Sequence, residues 1–206
     1  MNKPNFFLVY KPAGISSYDV VRYFKNKFPE EKVGHAGTLD PLASGLLIIL
    51  VGKICKKQGE FLSLDKEYLA KITFGLTSDT YDLGGKVKVD KIKKLTQDQI
   101  SLALRSFGEK YMQTVPLYSA VKRKGKPLYR YARQGKKLEN LPQKQVQIKK
   151  INLLSFRNYL FPEIEVKLRV SKGFYVRSFA HDLGEKLGTG AVLSALERTR
   201  IGRFYL

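Results

Sequence analysis

The sequence is poor in the residues from which disulfide frameworks and zinc sites are built. Its one cysteine, Cys55, excludes an internal disulfide and a cysteine-cluster zinc site, and there are only two histidines, His35 and His181. No apolar run approaches the roughly 18–20 residues that a membrane span needs. Residues 1–5 lack the charged-then-apolar pattern of a secretory signal. We therefore expect a cytoplasmic protein that does not bind membranes.

Acidic residues are scarce as well. There are 18 Asp and Glu against 38 Lys and Arg, so the formal net charge is +20. Such an excess favours a polyanionic partner, either a nucleic acid or an anionic membrane surface. The hydrophobic fraction of 43% is enough for a packed core and excludes a disordered tail. Composition thus predicts a folded, basic RNA- or DNA-binding protein.

Apolar patterning predicts short strands with helices placed irregularly between them. The continuous apolar run Leu46–Val51 is typical of a buried strand. Residues 66–75 and 162–170 alternate between apolar and polar, which suits an antiparallel sheet with one covered face. Helices are predicted to begin after Ser16, with Asp19 completing a capping box, at Thr96, and near Val176. We therefore expect an α+β fold with a mainly antiparallel central sheet.

One carboxylate stands out in the segment from Gly34 to Gly45. Asp40 lies between glycine-rich sequence and the apolar run that follows. An Asp-Pro pair usually starts a helix, with the aspartate as N-cap and the proline at the first helical position. Here the glycines also let a ligand approach the backbone closely, and a carboxylate is a competent nucleophile when a partner keeps it ionised. Both interpretations of Asp40, helix cap and nucleophile, are open at this point.

Two further side chains are candidates for the same site. Arg177 lies at the start of the predicted C-terminal helix. It is either a solvated surface cation or the partner of Asp40, whose carboxylate its guanidinium would grip in a bidentate manner. Tyr68 is in phase with Ala70 and Ile72, so its ring faces the covered side of the sheet. It is either an ordinary core tyrosine or a ring that stacks on a nucleobase, with its hydroxyl near the reacting atom.

Residues 115–137 interleave cations with tyrosines and have no clean period. A charge run is usually a solvated face, but this interleaving favours an RNA-binding loop, and Gly125 and Gly135 suit a loop that moves. The cations expected to bind RNA are Lys122, Arg123, Lys124, Lys126, Arg130 and Arg133.

Several blocks of the sequence, in order, resemble the TruB family, the tRNA pseudouridine-55 synthases. The blocks are Lys11–Ser17, His35–Gly45, Lys66–Tyr68, Thr77–Asp82, Tyr118–Gly135, Ser171–Arg177, Asp182–Gly184 and Leu196–Gly202. The similarity covers nearly the whole chain, and the ordered blocks together are far more specific than any one of them. It implies the pseudouridine synthase fold, with residues 1–206 forming one catalytic domain and residues 115–137 its RNA-binding thumb.

The resemblance implies a role for each matched residue. By this resemblance, Asp40 is the catalytic nucleophile and Arg177 pairs with it. Tyr68 stacks on the target base and is the candidate to handle the C5 proton, and Lys11 supports the pocket near this tyrosine. His35 contacts the region of the flipped nucleotide, and Leu196 lines the uracil pocket.

The implied reaction converts a uridine in the TΨC loop of tRNA, at position 55, into pseudouridine. It breaks the N1–C1′ bond, rotates the uracil and forms a C5–C1′ bond, after the base has been flipped out of its stack at a cost of a few kcal/mol. Attack by the aspartate on C1′ of the ribose and attack on C6 of the base are both open. No metal or cofactor is implied, and the expected partner is the T-arm of tRNA, bound by a monomer without a guide RNA.

Two features depart from the family pattern. Many members continue into a small RNA-binding PUA domain, whereas this sequence stops at Leu206, so either it is a trimmed piece or the natural protein is minimal. We expect no PUA domain here, and the high positive charge would compensate by strengthening phosphate contacts. Glu197 stands where members often carry an arginine, next to Arg198 and Thr199.

Two other functions are compatible with the sequence. A non-catalytic RNA binder or RNA-folding helper would show salt-sensitive binding and would isomerise no uridine. A dyskerin-type pseudouridine synthase shares the catalytic core but works with a guide RNA, in assemblies that usually rely on a PUA domain. Pseudouridine mapped in the T-loop of an unmodified tRNA, with this protein alone, would separate the three.

Overall fold

The computed structural model describes residues 6–136, 138 and 140–206, so residues 1–5 and Lys137, at the end of the expected thumb, lie outside the described residues. The strands are β1 (Phe6–Lys11), β2 (Val33–His35), β3 (Ser44–Val51), β4 (Lys66–Phe74), β5 (Leu76–Ser78), β6 (Val87–Val89), β7 (Lys110–Thr114), β8 (Lys122–Arg123), β9 (Lys126–Pro127), β10 (Gln143–Arg157), β11 (Glu163–Val170), β12 (Ala191–Ile201) and β13 (Phe204–Tyr205). The helices are α1 (Ser17–Lys27), α2 (Gln58–Ser63), α3 (Gln97–Arg105), α4 (Leu128–Arg133) and α5 (Val176–Leu187), with a 3-10 helix at Gly52–Lys57.

Nine of the described strands form one sheet, whose main path runs β1-β3-β12-β4-β11-β10-β7. Strand β2 pairs with β3, and β13 with β12, beside this path. Neighbouring strands are antiparallel except β3 and β12, which meet in a short parallel contact at Ser44 and Gly45. Two small hairpins, β5–β6 and β8–β9, stand outside the sheet. The predicted α+β fold with a mainly antiparallel sheet is confirmed.

Strand β3 is buried on both faces, which explains its unbroken apolar sequence. On one face Leu47 and Ile49 belong to a core cluster with Val20 and Phe24 of α1. On the other face the alternate residues of the strand pack with Phe61 and Leu64, at and just after α2, and with Phe204 of β13. The strand that follows Asp40 is therefore a rigid interior element.

The other half of the sheet is covered by α3 and α5. In β4 and β11 the even-numbered residues are buried and their neighbours are partly exposed, as the alternation predicts. These residues form one cluster with Ile100 and Leu104 of α3 and Phe179 and Leu183 of α5. Because Arg177 lies in the first turn of α5, this packing also sets the position of its side chain.

The capping box predicted at Ser16 is present, and a second one stands at the predicted helix start at Thr96. Ser16 Oγ accepts a hydrogen bond from the Asp19 amide at 3.2 Å, and the Asp19 carboxylate accepts one from the Ser16 amide at 2.8 Å. Thr96 and Gln99 form the same arrangement at the start of α3. These reciprocal bonds satisfy amides that the helix itself leaves free, so the two starts are set by local sequence. Within the described ranges, no helix is both long enough and apolar enough to cross a membrane.

Candidate active site

Asp40 lies in a tight turn between β2 and β3. Its carbonyl accepts a hydrogen bond from the Ala43 amide at 3.0 Å, and the Pro41 carbonyl accepts one from the Gly14 amide at 2.7 Å. Ser17 Oγ holds the backbone of Leu39 from both sides, accepting from its amide at 2.8 Å and donating to its carbonyl at 2.9 Å. No helix begins at Asp40, so the helix-cap interpretation is wrong: the following residues turn directly into β3.

Arg198 fastens the Asp40 loop from beneath. Its buried guanidinium donates from Nε to the Leu46 carbonyl at 2.8 Å and from Nη2 to the Gly37 carbonyl at 3.0 Å. A side chain at Gly45 would collide with the Arg198 backbone, and Gly45 has a φ of +103°, so this close approach needs glycine. The two bonds tie both ends of the loop to β12. Sequence reasoning gave Arg198 no role, because it stands among Glu197, Thr199 and Arg200 in a polar stretch that does not indicate burial.

The Asp40 carboxylate is paired with Arg177. Arg177 Nε lies 2.9 Å from Asp40 Oδ2, and the arginine side chain is only 7% exposed. Its terminal nitrogens donate to two backbone carbonyls at 3.0 Å each, Nη1 to Thr80 and Nη2 to Tyr118. The surface-cation interpretation of Arg177 is therefore wrong, and so is the expected bidentate grip. The guanidinium meets the carboxylate through Nε alone, because the loop carbonyls occupy the other two nitrogens.

A second carboxylate, Asp82, lies behind this pair. Its Oδ2 is 3.7 Å from Arg177 Nε, and its side chain is buried. Its Oδ1 accepts hydrogen bonds from Thr80 Oγ1 at 2.6 Å and from the Gly84 amide at 2.9 Å. Sequence reasoning placed Asp82 in a matched acidic loop but gave it no role. The Asp-x-Gly spacing, which is typical of an Asx-turn, indicated a structured loop but did not indicate its proximity to Asp40.

The surroundings of Asp40 act on its ionisation in opposite directions. Burial in the recess raises the pKa of Asp40, the Arg177 guanidinium lowers it and the Asp82 carboxylate raises it. The side chain nevertheless remains 41% exposed, so the carboxylate can be reached from solvent. This combination of an accessible carboxylate and a buried, oriented cation suits a nucleophile that must be charged when it reacts.

Tyr68 and Leu196 lie in or against the hydrophobic cluster that also holds the residues next to Asp40. Leu39 and Ala43, on either side of Asp40 in sequence, share a core cluster with the largely buried Tyr68, and Leu196 packs against it. Tyr68 lies directly opposite Arg198 in the β4–β12 pair. No protein group among the described residues forms a hydrogen bond with the Tyr68 hydroxyl. The ring is thus fixed by packing while its hydroxyl keeps its bonding capacity.

Lys11 is fully buried at the end of β1. Its Nζ donates to the carbonyls of Pro12 and Ile15, at 2.8 Å each. Burial lowers the pKa of Lys11, the nearby Asp40 carboxylate raises it and the Arg198 guanidinium lowers it. Lys11 therefore holds the β1–α1 turn on which the Asp40 loop rests, and its charge acts on Asp40 from a distance.

His35 ends β2, and the structure records no contact between its side chain and Asp40 within the described residues. Its Nδ1 is buried and has no hydrogen-bond partner there. Burial lowers the pKa of His35, and the positive charge of Arg198 lowers it further. The structure thus places Arg177 against Asp40 and puts Tyr68 and Leu196 in the adjoining hydrophobic cluster, whereas it shows no contact between the described side chains of His35 and Asp40.

The described part of the basic segment, residues 115–136, has more regular structure than the sequence indicates. It contains the β8–β9 hairpin and helix α4 where we expected a movable loop. Lys124 and Gly125 have positive φ, as a tight two-residue hairpin turn requires, and Gly135 has a φ of +67° just after α4. The two glycines therefore serve a turn and a helix end. With only one buried side chain in its six residues, α4 has no apolar stripe that periodicity would detect.

The expected RNA-binding cations lie on this hairpin and helix. Lys126 stacks over the Tyr131 ring at 5.0 Å and donates to Gln134 Oε1 at 2.8 Å, and Arg133 lies 5.5 Å from the Tyr129 ring centre. Four of these six cations are exposed, and two are partly exposed. The exposed ones are Lys122, Lys124, Arg130 and Arg133, and the partly exposed ones are Arg123 and Lys126. The Tyr118 carbonyl at the root of this thumb is one of the two that bind Arg177, so the thumb is joined directly to the candidate active site.

Among the described residues, the candidate site has no side-chain set suited to a metal. Within the same ranges, no group of three or more His, Cys, Asp or Glu side chains could hold an ion. A cavity of about 880 Å³ lies between α3 and β10 and shares no residue with the Asp40 site.

Comparison with known sequences identifies the family. Residues 25–176 match the N-terminal domain of the TruB family pseudouridylate synthases. The chain belongs to this family. It is 42% identical over 201 residues to the tRNA pseudouridine synthase B of Clostridium tetani, covering 95% of this chain and 67% of that protein. It is 45% identical over 205 residues to the protein of the same name from Carboxydothermus hydrogenoformans, covering 98% of this chain and 70% of that protein.

Two solved structures share the fold. A chain of a Cbf5-Nop10-Gar1 complex superposes with a TM-score of 0.74 at 28% identity, over 97% of this chain and 49% of that one. A chain of an H/ACA RNP bound to a substrate RNA containing 2′-deoxyuridine gives a TM-score of 0.70 at 24% identity, over 97% of this chain and 48% of that one. The chain spans about half the length of these two solved chains.

Proposed function

We propose that this protein is a stand-alone tRNA pseudouridine synthase that isomerises the uridine of the TΨC loop, at position 55. The observation that carries the proposal is the ion pair between the accessible Asp40 carboxylate and the buried Arg177 guanidinium, in a TruB family chain. Relatives that are 42% and 45% identical are named tRNA pseudouridine synthase B, which supports tRNA as the substrate.

Asp40 is the nucleophile of the proposed reaction. Arg177 opposes the effect of burial on its pKa and so keeps the carboxylate charged and aimed. The carboxylate adds to C1′ of the ribose or to C6 of the base, and the N1–C1′ bond breaks. The uracil rotates, C5 bonds to C1′, the C5 proton leaves, N1 gains a proton and the carboxylate is released. The product is an isomer of the substrate, so no co-reactant is consumed.

Tyr68 and Leu196 bind the flipped base in this proposal. The Tyr68 ring is fixed between strands and offers a stacking face, and stacking on an aromatic ring contributes about 1–3 kcal/mol per base. Its hydroxyl is available to take up the C5 proton or to relay it. Leu196 supplies apolar contact to the uracil. These interactions offset the few kcal/mol needed to extrude the base from a structured loop.

The thumb binds the T-arm around the target uridine. Its tyrosines and arginines suit single-stranded loop bases, and its lysines suit phosphates. The Tyr118 carbonyl accepts a hydrogen bond from Arg177, so a thumb that is bound to RNA is connected directly to the Arg177–Asp40 pair. We propose that the protein acts as a monomer and without a guide RNA.

The test is to incubate the purified protein with an unmodified tRNA transcript and to map pseudouridine by carbodiimide primer extension. Signal at the T-loop uridine with protein alone is the expected result. The matched control is Asp40→Asn, which keeps the shape of the side chain and removes the nucleophile, so it should bind tRNA and form no pseudouridine. Comparable turnover by the Asn variant would exclude Asp40 as the nucleophile.

The similarity to the Cbf5-Nop10-Gar1 complex gives a second candidate, a guide-dependent synthase. It predicts no modification of tRNA by the protein alone. If the wild type binds tRNA but isomerises no uridine, either alone or with a guide RNA, the protein is instead a non-catalytic RNA binder.

A further inference from the structure

Residues 86–94 form a second basic segment, which the proposed chemistry does not use. Five of the nine residues are lysines, namely Lys86, Lys88, Lys91, Lys93 and Lys94, and Asp90 is the one acid. Every residue of this basic strip is exposed, including both faces of β6. The described ion pairs involve none of the five lysines. The strip is therefore a positive surface that no part of the described chain covers or neutralises.

The basic strip starts beside the catalytic pair. It follows the loop in which the Thr80 carbonyl binds Arg177 Nη1. Asp79 then joins this loop to the thumb: its Oδ1 accepts from the Lys86 amide at 2.8 Å, and its Oδ2 lies 3.4 Å from the Tyr118 hydroxyl. The strip and the thumb therefore share a root at Arg177, so an RNA whose target base is at Asp40 lies next to both.

The far end of the strip lies at the C-terminus of α5, the opposite end of the helix from Arg177. It is anchored there by Lys93, whose Nζ donates to the Leu187 carbonyl at 3.1 Å. Arg177 lies in the first turn of the same helix, so at 1.5 Å per residue the strip extends about 15 Å from the catalytic pair. That distance matches several successive phosphates of a nucleic-acid strand, which lie about 3.4 Å apart along a duplex axis.

The composition of the strip selects the kind of contact. It has no aromatic residue and no arginine, so it offers no stacking platform and no planar fork for base edges. Lysines on flexible stems bind phosphates as point charges. The thumb, by contrast, interleaves tyrosines and arginines. The thumb is therefore suited to the bases of the loop, and the strip is suited to the phosphate backbone.

We propose that residues 86–94 are a second RNA-binding surface, which grips the phosphate backbone of the substrate RNA beyond the target loop and independently of its sequence. This inference rests on the proposed function for the identity of the RNA. The strip holds the stem that leads away from the flipped uridine, opposite the thumb. It contributes to RNA affinity and to the positioning of the RNA relative to Asp40, and it takes no part in bond breaking.

The test replaces three lysines of the strip with glutamine: Lys86→Gln, Lys88→Gln and Lys91→Gln. Lys93 is kept, because its hydrogen bond to Leu187 holds the strip to the end of α5. The matched control is Lys53→Gln, Lys56→Gln and Lys57→Gln, three exposed lysines of the 3-10 helix beyond the far end of β3. The control makes the same change in net charge. Binding is followed by fluorescence anisotropy over a range of salt concentrations, with a tRNA transcript whose target uridine is replaced by cytidine so that no reaction occurs.

The strip variant should flatten the slope of log K against log salt by about 2 units, because each phosphate left without its lysine removes roughly 0.7–0.9 from the slope. The control variant should keep the wild-type slope, and both variants should keep the wild-type kcat at saturating tRNA. The effect should be smaller on an isolated T-loop without its stem. Equal effects in the two variants would assign the change to net charge alone and overturn the proposal, and so would an unchanged slope in the strip variant.

The two proposals fail in different ways. A wild-type protein that binds tRNA but forms no pseudouridine contradicts the proposed function and leaves the strip result standing. An active enzyme whose strip variant binds tRNA normally but no longer binds vesicles rich in phosphatidylserine would show that the strip serves a membrane surface instead.

Discussion

At the scale of single residues, Arg177 is where the separate parts of the site meet. One guanidinium holds the Asp40 carboxylate, the loop at Thr80 and the root of the thumb at Tyr118 through its three nitrogens. A buried cation needs all of its donors satisfied, and here each of the three nitrogens has an oxygen partner.

Arg177→Lys should lower kcat/KM by at least about 100-fold, although it conserves the charge. A lysine presents a single nitrogen and cannot hold a carboxylate and two separate carbonyls in one plane. Steady-state kinetics on a tRNA transcript would measure the decrease, and circular dichroism would establish that the variant is folded. Arg105→Lys, exposed in the last turn of α3 and outside every proposed binding surface, is the matched control and should stay near wild type. Near-normal turnover by Arg177→Lys would show that the three-way arrangement is not needed.

The charges around Asp40 predict a pH dependence of the single-turnover rate. Burial raises the pKa of Asp40, so the acid limb should lie above the ordinary aspartate value of 3.8. Asp82→Asn removes one of the influences that raise this pKa, so the acid limb should move to lower pH. Asp98→Asn, exposed at the start of α3, should leave the limb where it is. Movement of the limb to higher pH in Asp82→Asn would contradict the assignment.

Tyr68→Phe should retain tRNA affinity and lose most activity, whereas Tyr68→Leu should weaken both. The ring supplies stacking, and the hydroxyl, which no described protein group binds, is the part available for proton handling. Comparing Kd with the single-turnover rate separates the two contributions. Full activity in Tyr68→Phe would remove the hydroxyl from the mechanism.

At the scale of elements, the thumb is a small folded unit. The Tyr131 hydroxyl donates to the Arg123 carbonyl at 3.1 Å, and the Leu128 amide donates to the Val121 carbonyl at 2.8 Å, so hairpin and helix are bonded to each other. A preformed unit loses less conformational entropy on binding than a flexible loop, which favours affinity for the same contacts.

Replacing Lys122, Arg123, Lys124 and Lys126 with glutamine should flatten the salt dependence of tRNA binding by up to about 0.9 for each phosphate that these cations neutralise. The apparent KM should rise more than kcat falls, because such cations bind ground state and transition state alike. Binding titrations over a salt series, with kinetics at each point, would measure both effects. A variant with Lys25, Lys53, Lys56 and Lys57 replaced controls for net charge. An unchanged salt slope in the thumb variant would mean that the thumb does not touch phosphates.

At the scale of the whole molecule, the formal charge of +20 makes the RNA-free protein repel itself. Raising sodium chloride from low to physiological concentration shortens the Debye length from about 30 Å to about 8 Å and screens this repulsion. The melting temperature should therefore rise by about 3 °C, which corresponds to roughly 1 kcal/mol in a chain of this size. Differential scanning calorimetry without RNA would measure it. A melting temperature that falls with added chloride would show that surface ion pairs outweigh the self-repulsion.

The sequence alone determined the features that arise from local chemistry. The capping box at Ser16, the helix start at Thr96, the alternation of β4 and β11 and the buried apolar run of β3 were correctly predicted. Hydrogen bonding at a helix start and side-chain periodicity act over only a few residues. The glycine-rich loop around Asp40 and the basic, tyrosine-containing thumb were recognisable for the same reason, and the blocks in which they lie led to the TruB family.

The family resemblance implied Arg177 as the partner of Asp40, but only the tertiary structure decided how that pair is made and which other distant groups join it. The closure of the sheet and the packing of α5 bring Arg177 to the carboxylate, set Asp82 behind it and place Arg198 beneath the loop. None of these interactions has a local signature, because a salt bridge or a hydrogen bond to a distant carbonyl depends on strand register and helix docking and not on neighbouring residues. For the same reason the direction of the Asp40 pKa shift, a balance of burial against one cation and one carboxylate, could not be read from the chain.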